Sequence, residues 1–288
     1  SNTMAGMRRC RMLVCAVLAA SLWACVTVPE RQHALVLQSD GTVAQEPLGC
    51  GDPDVPRPAA AGALDPGMIR IASWNLHKEA DPGWQSDLGR LVAQSDLVLL
   101  QEAGVSPELR GVVERMGFSW LLSSAFTYQG FEYGVLTATR VRPASACILR
   151  ANEPLLGIPK AALITYYRLA RRDATLAVVN LHAINFTLGT TAYRAQLEAI
   201  AAALSTHAGP IFLGGDFNTW SDARMDVVRA VAMQLSLSPV DFEPDERKRF
   251  TGRVFDRVYV RGIEVLGASA WPVASSDHNP VLVSLRVR

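Results

Sequence analysis

The stretch Gly214-Gly215-Asp216-Phe217-Asn218-Thr219-Trp220 follows the apolar run Pro210-Ile211-Phe212-Leu213. The run reads as a buried strand, and the glycines and polar residues after it read as its polar end. Two glycines permit positive φ and close approach to the backbone. The aspartate then supplies a carboxylate, and the asparagine an oriented donor and acceptor. Turns of this composition are common at strand ends. The meaning of this one depends on whether other strands finish in matching chemistry.

Most of them do. The alternating run 68–74 finishes in Trp74-Asn75-Leu76-His77, and the run 96–101 in Gln101-Glu102. Asn180-Leu181-His182 ends a run that begins at 174. Asp256 lies in a late strand, 254–260, and Ser276-Asp277-His278-Asn279-Pro280 precedes the last one, 280–287. Each alone has an ordinary explanation: Glu102 as a solvated capping acid, His182 as a satisfied, partly buried histidine. Together they fit a scaffold poorly, because half-buried carboxylates and imidazoles are costly unless paired or metal-bound.

The remaining pattern supplies the frame. Strand-like runs occupy 118–124, 133–140, 144–150, 161–169 and 263–270. Helical periodicity marks 84–95, 191–206 and 222–232. Ser106-Pro107-Glu108 is a helix start, with an N-cap, a proline in the first turn and an early acid, and Gly117 is its expected stop. Strands outnumber helices, which predicts stacked sheets with helices outside. A single domain over 68–288 is the simplest reading.

Ahead of that domain the composition changes. Arg8, Arg9 and Arg11 precede an uncharged run, 12–28. A basic start followed by an apolar run predicts a secretory signal or an N-terminal membrane anchor over 1–28. Leu22-Trp23-Ala24-Cys25 is similar to a lipoprotein processing box, which makes Cys25 the candidate lipidated residue. The flanking arginines would leave the body of the chain outside the cytoplasm, on the periplasmic or extracytoplasmic face, in either case. Residues 29–67, rich in Pro, Gly and Ala, read as a linker, with one short strand at 34–38.

Hydrophobic residues make up 49% of the 288-residue chain and the formal net charge is +1. No global basic field therefore advertises nucleic acid. Of five cysteines, only Cys50 and Cys147 lie beyond the N-terminal segment. They either pair or remain two free thiols. No cysteine spacing fits zinc. The strand-end residues are instead Asp, Glu, Asn and His, a hard-ligand set that suits Mg²⁺ or Mn²⁺. Acids and imidazoles around such an ion can activate water and stabilise a leaving group.

The ordered set Trp-Asn, Gln-Glu, Asn-x-His, Gly-Asp-Phe-Asn and Ser-Asp-His resembles the exonuclease–endonuclease–phosphatase superfamily from about Met68 to the C-terminus. Glu153-Pro154, Pro159-Lys160, His182-Ala183-Ile184-Asn185-Phe186 and Asp216–Trp220 carry a closer likeness to its bacterial YafD-like branch. The resemblance implies an α/β (α+β) fold, a four-layer α/β/β/α sandwich of two packed mixed sheets. It implies a metal-dependent phosphoesterase. Glu102 would be the main metal carboxylate, supported by Asn75 and Asp277. Asp216 would prepare the attacking water, with Asn218 beside it. His278 would contact the phosphate and be oriented by Asp256, with His182 opposite. Asn180, Tyr133, Lys160, Asn185 and His77 are the further candidate phosphate or substrate contacts. His77 stands where many relatives carry an acid or amide.

The expected partner is a phosphate ester, either nucleic acid or a phospholipid or small phosphodiester. Membrane association would run through the N-terminus, and the chain is expected to be a monomer. Arg247, Lys248, Arg249, Arg253, Arg257 and Arg261 form a local basic run. It would track a nucleic-acid backbone, or four of the six would be solvated or paired with Asp245 and Glu246.

Overall fold

Period-two alternation decides which side chains meet between the sheets. In the computed structural model, which describes residues 26–50 and 62–288, the strands in chain order are β1 (Val26–Thr27), β2 (Ala34–Leu37), β3 (Val43–Glu46), β4 (Ile69–Asn75), β5 (Leu97–Gly104), β6 (Ser119–Tyr128), β7 (Phe131–Thr139), β8 (Ser145–Asn152), β9 (Pro159–Arg168), β10 (Thr175–His182), β11 (Ile211–Asp216), β12 (Ser238–Pro239), β13 (Arg249–Phe250), β14 (Arg253–Val254), β15 (Asp256–Arg261), β16 (Ile263–Ala270) and β17 (Val281–Val287). The helices are α1 (Trp84–Ala93), α2 (Pro107–Arg115), α3 (Thr191–Leu204) and α4 (Asp222–Gln234).

The larger sheet runs β16-β17-β4-β5-β7-β6-β2-β3, with β1 paired to β6; the smaller runs β12-β15-β11-β10-β9-β8. Both are mixed: β4 lies parallel to β5, and β10 parallel to β11, among antiparallel neighbours. Ile69 and Ile71 of β4, Leu97 and Leu99 of β5, Val178 of β10, Phe212 of β11 and Val258 of β15 fill the space between the sheets. The alternate residues Ala72, Trp74, Val98 and Leu100 pack under α1 and α2, joined there by Leu88, Leu91, Leu109 and Val113. On the other side, Ala177, Val179, Leu181 and Leu213 pack under α3 and α4. The result is the expected four-layer α/β/β/α sandwich. Full burial of one large apolar side chain stabilises by about 1.5–3 kcal/mol, so these layers outweigh any single polar contact.

The same alternation continues to the strand ends. Asn75 follows Ile69, Ile71 and Ser73; Gln101 follows Leu97 and Leu99; Asn180 and His182 follow Val178; Asp216 follows Phe212 and Gly214. The polar residues therefore emerge on the inter-sheet face, at one edge of the sandwich.

Ser106 caps α2 as its sequence predicts, its hydroxyl accepting from the Leu109 amide at 3.1 Å. Gly215 is required by strand packing. A Cβ there would lie 2.0 Å from the Leu181 carbonyl oxygen, and its φ is 141°. The glycine serves the close approach of β10 to β11.

The expected linker over 29–67 is corrected for its described residues. β2 pairs with β6, β3 pairs with β2, and Leu48 and Leu64 are buried. The short strand expected at 34–38 is β2, while proline, glycine and alanine clustered at 51–63 dominated the composition and masked its partner β3. Cys50 and Cys147 form a disulfide across a separation of 97 residues, a loop whose closure is worth on the order of 4 kcal/mol in the chain-entropy account. The N-terminal segment expected as a signal or anchor lies outside the described residues up to position 25, and Cys25 with it. No described helix is long and apolar enough to cross a membrane.

Candidate active site

Asp216 is the centre of the polar edge. It is buried, and its Oδ2 accepts from Asn75 Nδ2 at 3.0 Å while Oδ1 accepts from the Asn218 amide at 2.9 Å. Oδ2 lies 3.6 Å from His182 Nε2 and 3.8 Å from His278 Nε2. Two imidazoles from different layers thus converge on one carboxylate oxygen.

His278 is held from both ends. Its Nδ1 meets Asp256 Oδ2 at 2.8 Å, and its backbone carbonyl accepts from Trp74 Nε1 at 3.0 Å. Ser276 ties the same loop to β4, donating to the Asn75 carbonyl at 2.7 Å. Phe250, on the β13–β14 hairpin, lies against the ring at 5.2 Å. Burial opposes the charge on His278, but Asp256 and then Asp216 outweigh it and raise its pKa to about 10. His278 is therefore an imidazolium at neutral pH.

His182 is the opposite case. Burial, reinforced by the Lys160 ammonium, holds its pKa down at about 3 against the pull of Asp216 and Glu102. It is neutral, and its Nε2 accepts from Lys160 Nζ at 3.0 Å. Two histidines a few ångströms apart in one site carry different charges because one has a committed carboxylate partner and the other faces a lysine.

Glu102 lies within β5, where its register to β7 shifts between Leu100 and Ala103, with a φ of 49°, an uncommon conformation for a residue with a side chain. Burial opposes its ionisation, yet His182 when protonated, Lys78 and Lys160 hold its pKa down at about 2. Lys78 Nζ donates to Oε2 at 2.6 Å; Lys160 Nζ and His182 Nε2 each lie 3.8 Å from Oε1. Lys78 arrives on the turn His77–Glu79, in which all three residues have positive φ, at 49°, 55° and 62°. Backbone of that kind stores roughly 1–3 kcal/mol per residue and persists only where its surroundings impose it. Glu79 imposes it, accepting from the Gly104 amide at 2.9 Å and the Ser106 hydroxyl at 2.7 Å.

His77, Lys78, Glu102, Lys160, His182, Asn185 and Asp277 line one groove beside this cluster. His77 Nδ1 pairs with Asp81 Oδ2 at 2.7 Å and lies 4.0 Å from Asp277 Oδ1. Asn218, at a φ of 48°, donates from its amide to the Ala183 carbonyl, which leaves its Oδ1 for other partners.

Two candidates take other roles. Asn180 is corrected from substrate contact to cross-sheet tie. It is fully buried, donates to the Leu100 and Leu136 carbonyls at 3.1 and 3.0 Å, and accepts from Gln101 Nε2 at 2.8 Å. Tyr133 stands apart from the cluster. It stacks on Phe126 at 5.8 Å and closes over Gly104, and burial pushes its hydroxyl up to about 12.

The donor set fits a hard cation of low protein ligation. Among the described residues no group of three or more His, Cys, Asp or Glu is placed to hold a metal by itself. Glu102 is ionised and faces the groove, Asp277 is half exposed beside it, and Asn75 keeps one lone pair on an Oδ1 that already accepts from the His77 amide. Mg²⁺ is commonly held by one or two carboxylates, with waters and substrate phosphate completing the shell. A cation at Glu102 has to compete with Lys78.

Arg224 was missed by motif reading, and Glu153 carried a family likeness but was given no role. The fully buried Arg224 of α4 donates to the carbonyls of Ile184, Asn218 and Asn185, at 2.6, 3.0 and 2.7 Å. Its guanidinium lies between the rings of Tyr193 and Trp220, at 4.5 and 4.3 Å. Glu153 accepts from the Asn185 and Phe186 amides at 2.6 and 3.1 Å. Together they fix the loop after His182. The only sequence signal was an arginine at the third position of a helix whose amphipathic face should be apolar. Arg224→Met keeps most of the volume but orphans three carbonyls, so unfolding in urea should show a loss of about 3 kcal/mol; an unchanged midpoint would refute this role.

The local basic run resolves as paired. Arg247 and Arg249 bind Asp245, Arg253 binds Asp222, Arg257 donates to Thr219, Arg261 to the Gly209 carbonyl and Lys248 to the Ser276 carbonyl.

The family model described as the Endonuclease/Exonuclease/phosphatase family matches residues 72–278. A UPF0294 protein of Vibrio parahaemolyticus is 37% identical over 261 residues, covering 90% of each chain. A UPF0294 protein of Klebsiella pneumoniae is 40% identical over 231 residues, 78% of this chain and 85% of the other. In fold, the human Nocturnin catalytic domain with bound sulfate is similar at a TM-score of 0.60 and 15% identity, over 82% of this chain and all (100%) of that one. An endonuclease/exonuclease/phosphatase from Bacteroides vulgatus is similar at 0.58 and 17%, over 77% and 99%. With the matched model spanning the whole polar edge, from β4 to His278, the chain belongs to the endonuclease/exonuclease/phosphatase family, whose members are metal-dependent phosphoesterases or nucleases.

Proposed function

We propose that this chain is a divalent-metal-dependent phosphoric ester hydrolase acting on a phosphodiester, with Mg²⁺ or Mn²⁺ as its ion. The observation that carries the reading is Asp216 Oδ2, set 3.6 and 3.8 Å from a neutral and a charged imidazole. A water held at Asp216 and Asn218 attacks phosphorus. Its oxygen forms the new P–O bond as the bond to the leaving oxygen breaks. Asp216 takes the water proton, and the leaving oxygen is protonated from solvent. The His278 imidazolium, oriented by Asp256, and Lys160 stabilise the charge that builds on the phosphoryl oxygens. Glu102, Asp277 and Asn75 would hold the ion, which supplies further charge neutralisation at the phosphate.

The reading extends to location. The Cys50–Cys147 disulfide and the uncharged run 12–28 behind three arginines support an exported protein, held at the membrane through its N-terminus or as a lipoprotein at Cys25.

Protein stripped with EDTA and assayed on a soluble phosphodiester and its monoester tests the activity. Diester turnover should vanish on stripping and return with Mg²⁺ or Mn²⁺. A preference for the monoester would make it a phosphatase. Phosphate binding without turnover under any metal would make it a non-catalytic module on the same fold.

A further inference from the structure

The groove that begins at Glu102, Lys160 and His182 is mainly apolar beyond that end, where Tyr128 and Glu153 also line it. It has a volume of about 610 Å³, within the range of small-molecule sites. Away from the charged cluster its walls are Val26, Val28, Phe126, Leu156, Ile158 and Phe186. They come from the chain at β1, from β6, from the β8–β9 loop and from the loop after β10.

The rim carries the same chemistry outward. Leu155 is 55% exposed, Phe186 51% and Leu188 83%. These lie on the two loops that Glu153 joins through the Asn185 and Phe186 amides. Large apolar side chains held in water at the mouth of a site mark a surface meant to be covered. The wall residues Val26 and Val28 are also the end of the uncharged run 12–28, so the apolar character of the N-terminus continues into the groove. The basic residues that could have followed a nucleic-acid backbone are committed to protein partners instead.

We propose that the substrate is an amphiphilic phosphoester, its phosphate at Lys160 beside an ion held by Glu102, and its apolar tail along Val28, Phe126, Leu156, Ile158 and Phe186. This rests on the phosphoesterase reading and names its substrate class. Each methylene taken from water into the groove strengthens binding, so a tail of a few carbons outweighs a single polar contact to a headgroup.

The test uses the full chain with Mg²⁺. Four substrates are compared: a diacyl phospholipid and a prenyl phosphodiester in mixed detergent micelles, a soluble aryl phosphodiester, and a single-stranded oligonucleotide. At least one tailed substrate should exceed the soluble diester and the oligonucleotide in kcat/KM, and the two tailed arms separate a membrane phospholipid from a prenyl ester. Phe186→Ser and Ile158→Ser should lower the ratio of tailed to soluble kcat/KM by about tenfold or more. Thermal melting checks that both variants fold. Oligonucleotide or soluble diester preferred, with the ratio unchanged in both variants, overturns the proposal and leaves the phosphoesterase intact. No metal-dependent turnover of any substrate defeats the phosphoesterase reading itself.

Discussion

Glu102→Gln should reduce metal-dependent turnover on the order of 10³-fold, the scale of losing one preorganised charge at a reacting centre. The expectation follows from what the carboxylate does in this environment. It is the one acid in the groove that meets two lysines and a histidine, at 2.6 to 3.8 Å. With its pKa down at about 2 it is ionised at every pH an assay would use. Glutamine keeps the shape and removes the charge. Lys78 and Lys160 then face one another without a counter-ion, and a divalent cation has lost its main ligand. The variant should therefore bind Mg²⁺ or Mn²⁺ measurably more weakly by titration calorimetry. It should still fold, because the four-layer core does not depend on it. Near-normal rates at saturating metal would show that Glu102 is not the ion's carboxylate.

His278→Ala should cost roughly 10²–10³-fold in kcat, the scale of losing one preorganised donor aimed at developing charge. Asp256→Asn should reproduce much of that loss without touching the cleft. The reason is the 2.8 Å contact between Asp256 Oδ2 and His278 Nδ1, inside a buried site. With Asp256 in place the imidazolium survives to about pH 10. Without it, burial prevails and the ring loses its proton at lower pH, so the alkaline limb of the pH–rate profile should move to lower pH. Because the two residues act as one unit, the double variant should be little worse than His278→Ala alone. Additive losses, or an alkaline limb that stays put in Asp256→Asn, would mean that Asp256 does not act through the histidine.

The strands that build this site were legible because alternation is a local property. Ile69-Arg70-Ile71-Ala72-Ser73-Trp74-Asn75 shows which side chains share a face, and the next residue on that face inherits its direction. Asn75, His182 and Asp216 could be placed at one edge by that rule, and a family resemblance then gave them roles. Asn180 shows where the rule stops. Alternation puts it on the inter-sheet face, but only packing shows that it sits one pair too deep, tied to Gln101 and two carbonyls. Lys78 was invisible for another reason. It reaches Glu102 through three consecutive left-handed residues, none of them glycine, a conformation that no propensity favours. Arg224 and Glu153 work through backbone carbonyls and amides of a loop, and such contacts leave no pattern in the sequence. β2 was legible as a short strand, but β3 was obscured because four residues of alternation are too few to stand out beside a Pro/Ala-rich neighbour.

The most direct measurement is hydrolysis of a phosphodiester in ¹⁸O-labelled water with Mg²⁺, followed by phosphorus NMR, for the wild type and for Asp216→Asn. One label should enter the phosphoryl product of the wild type, metal-dependently, and turnover by Asp216→Asn should be reduced to a small residue. Label found in the released alcohol, or equal rates for the two proteins, would contradict attack on phosphorus by a water prepared at Asp216.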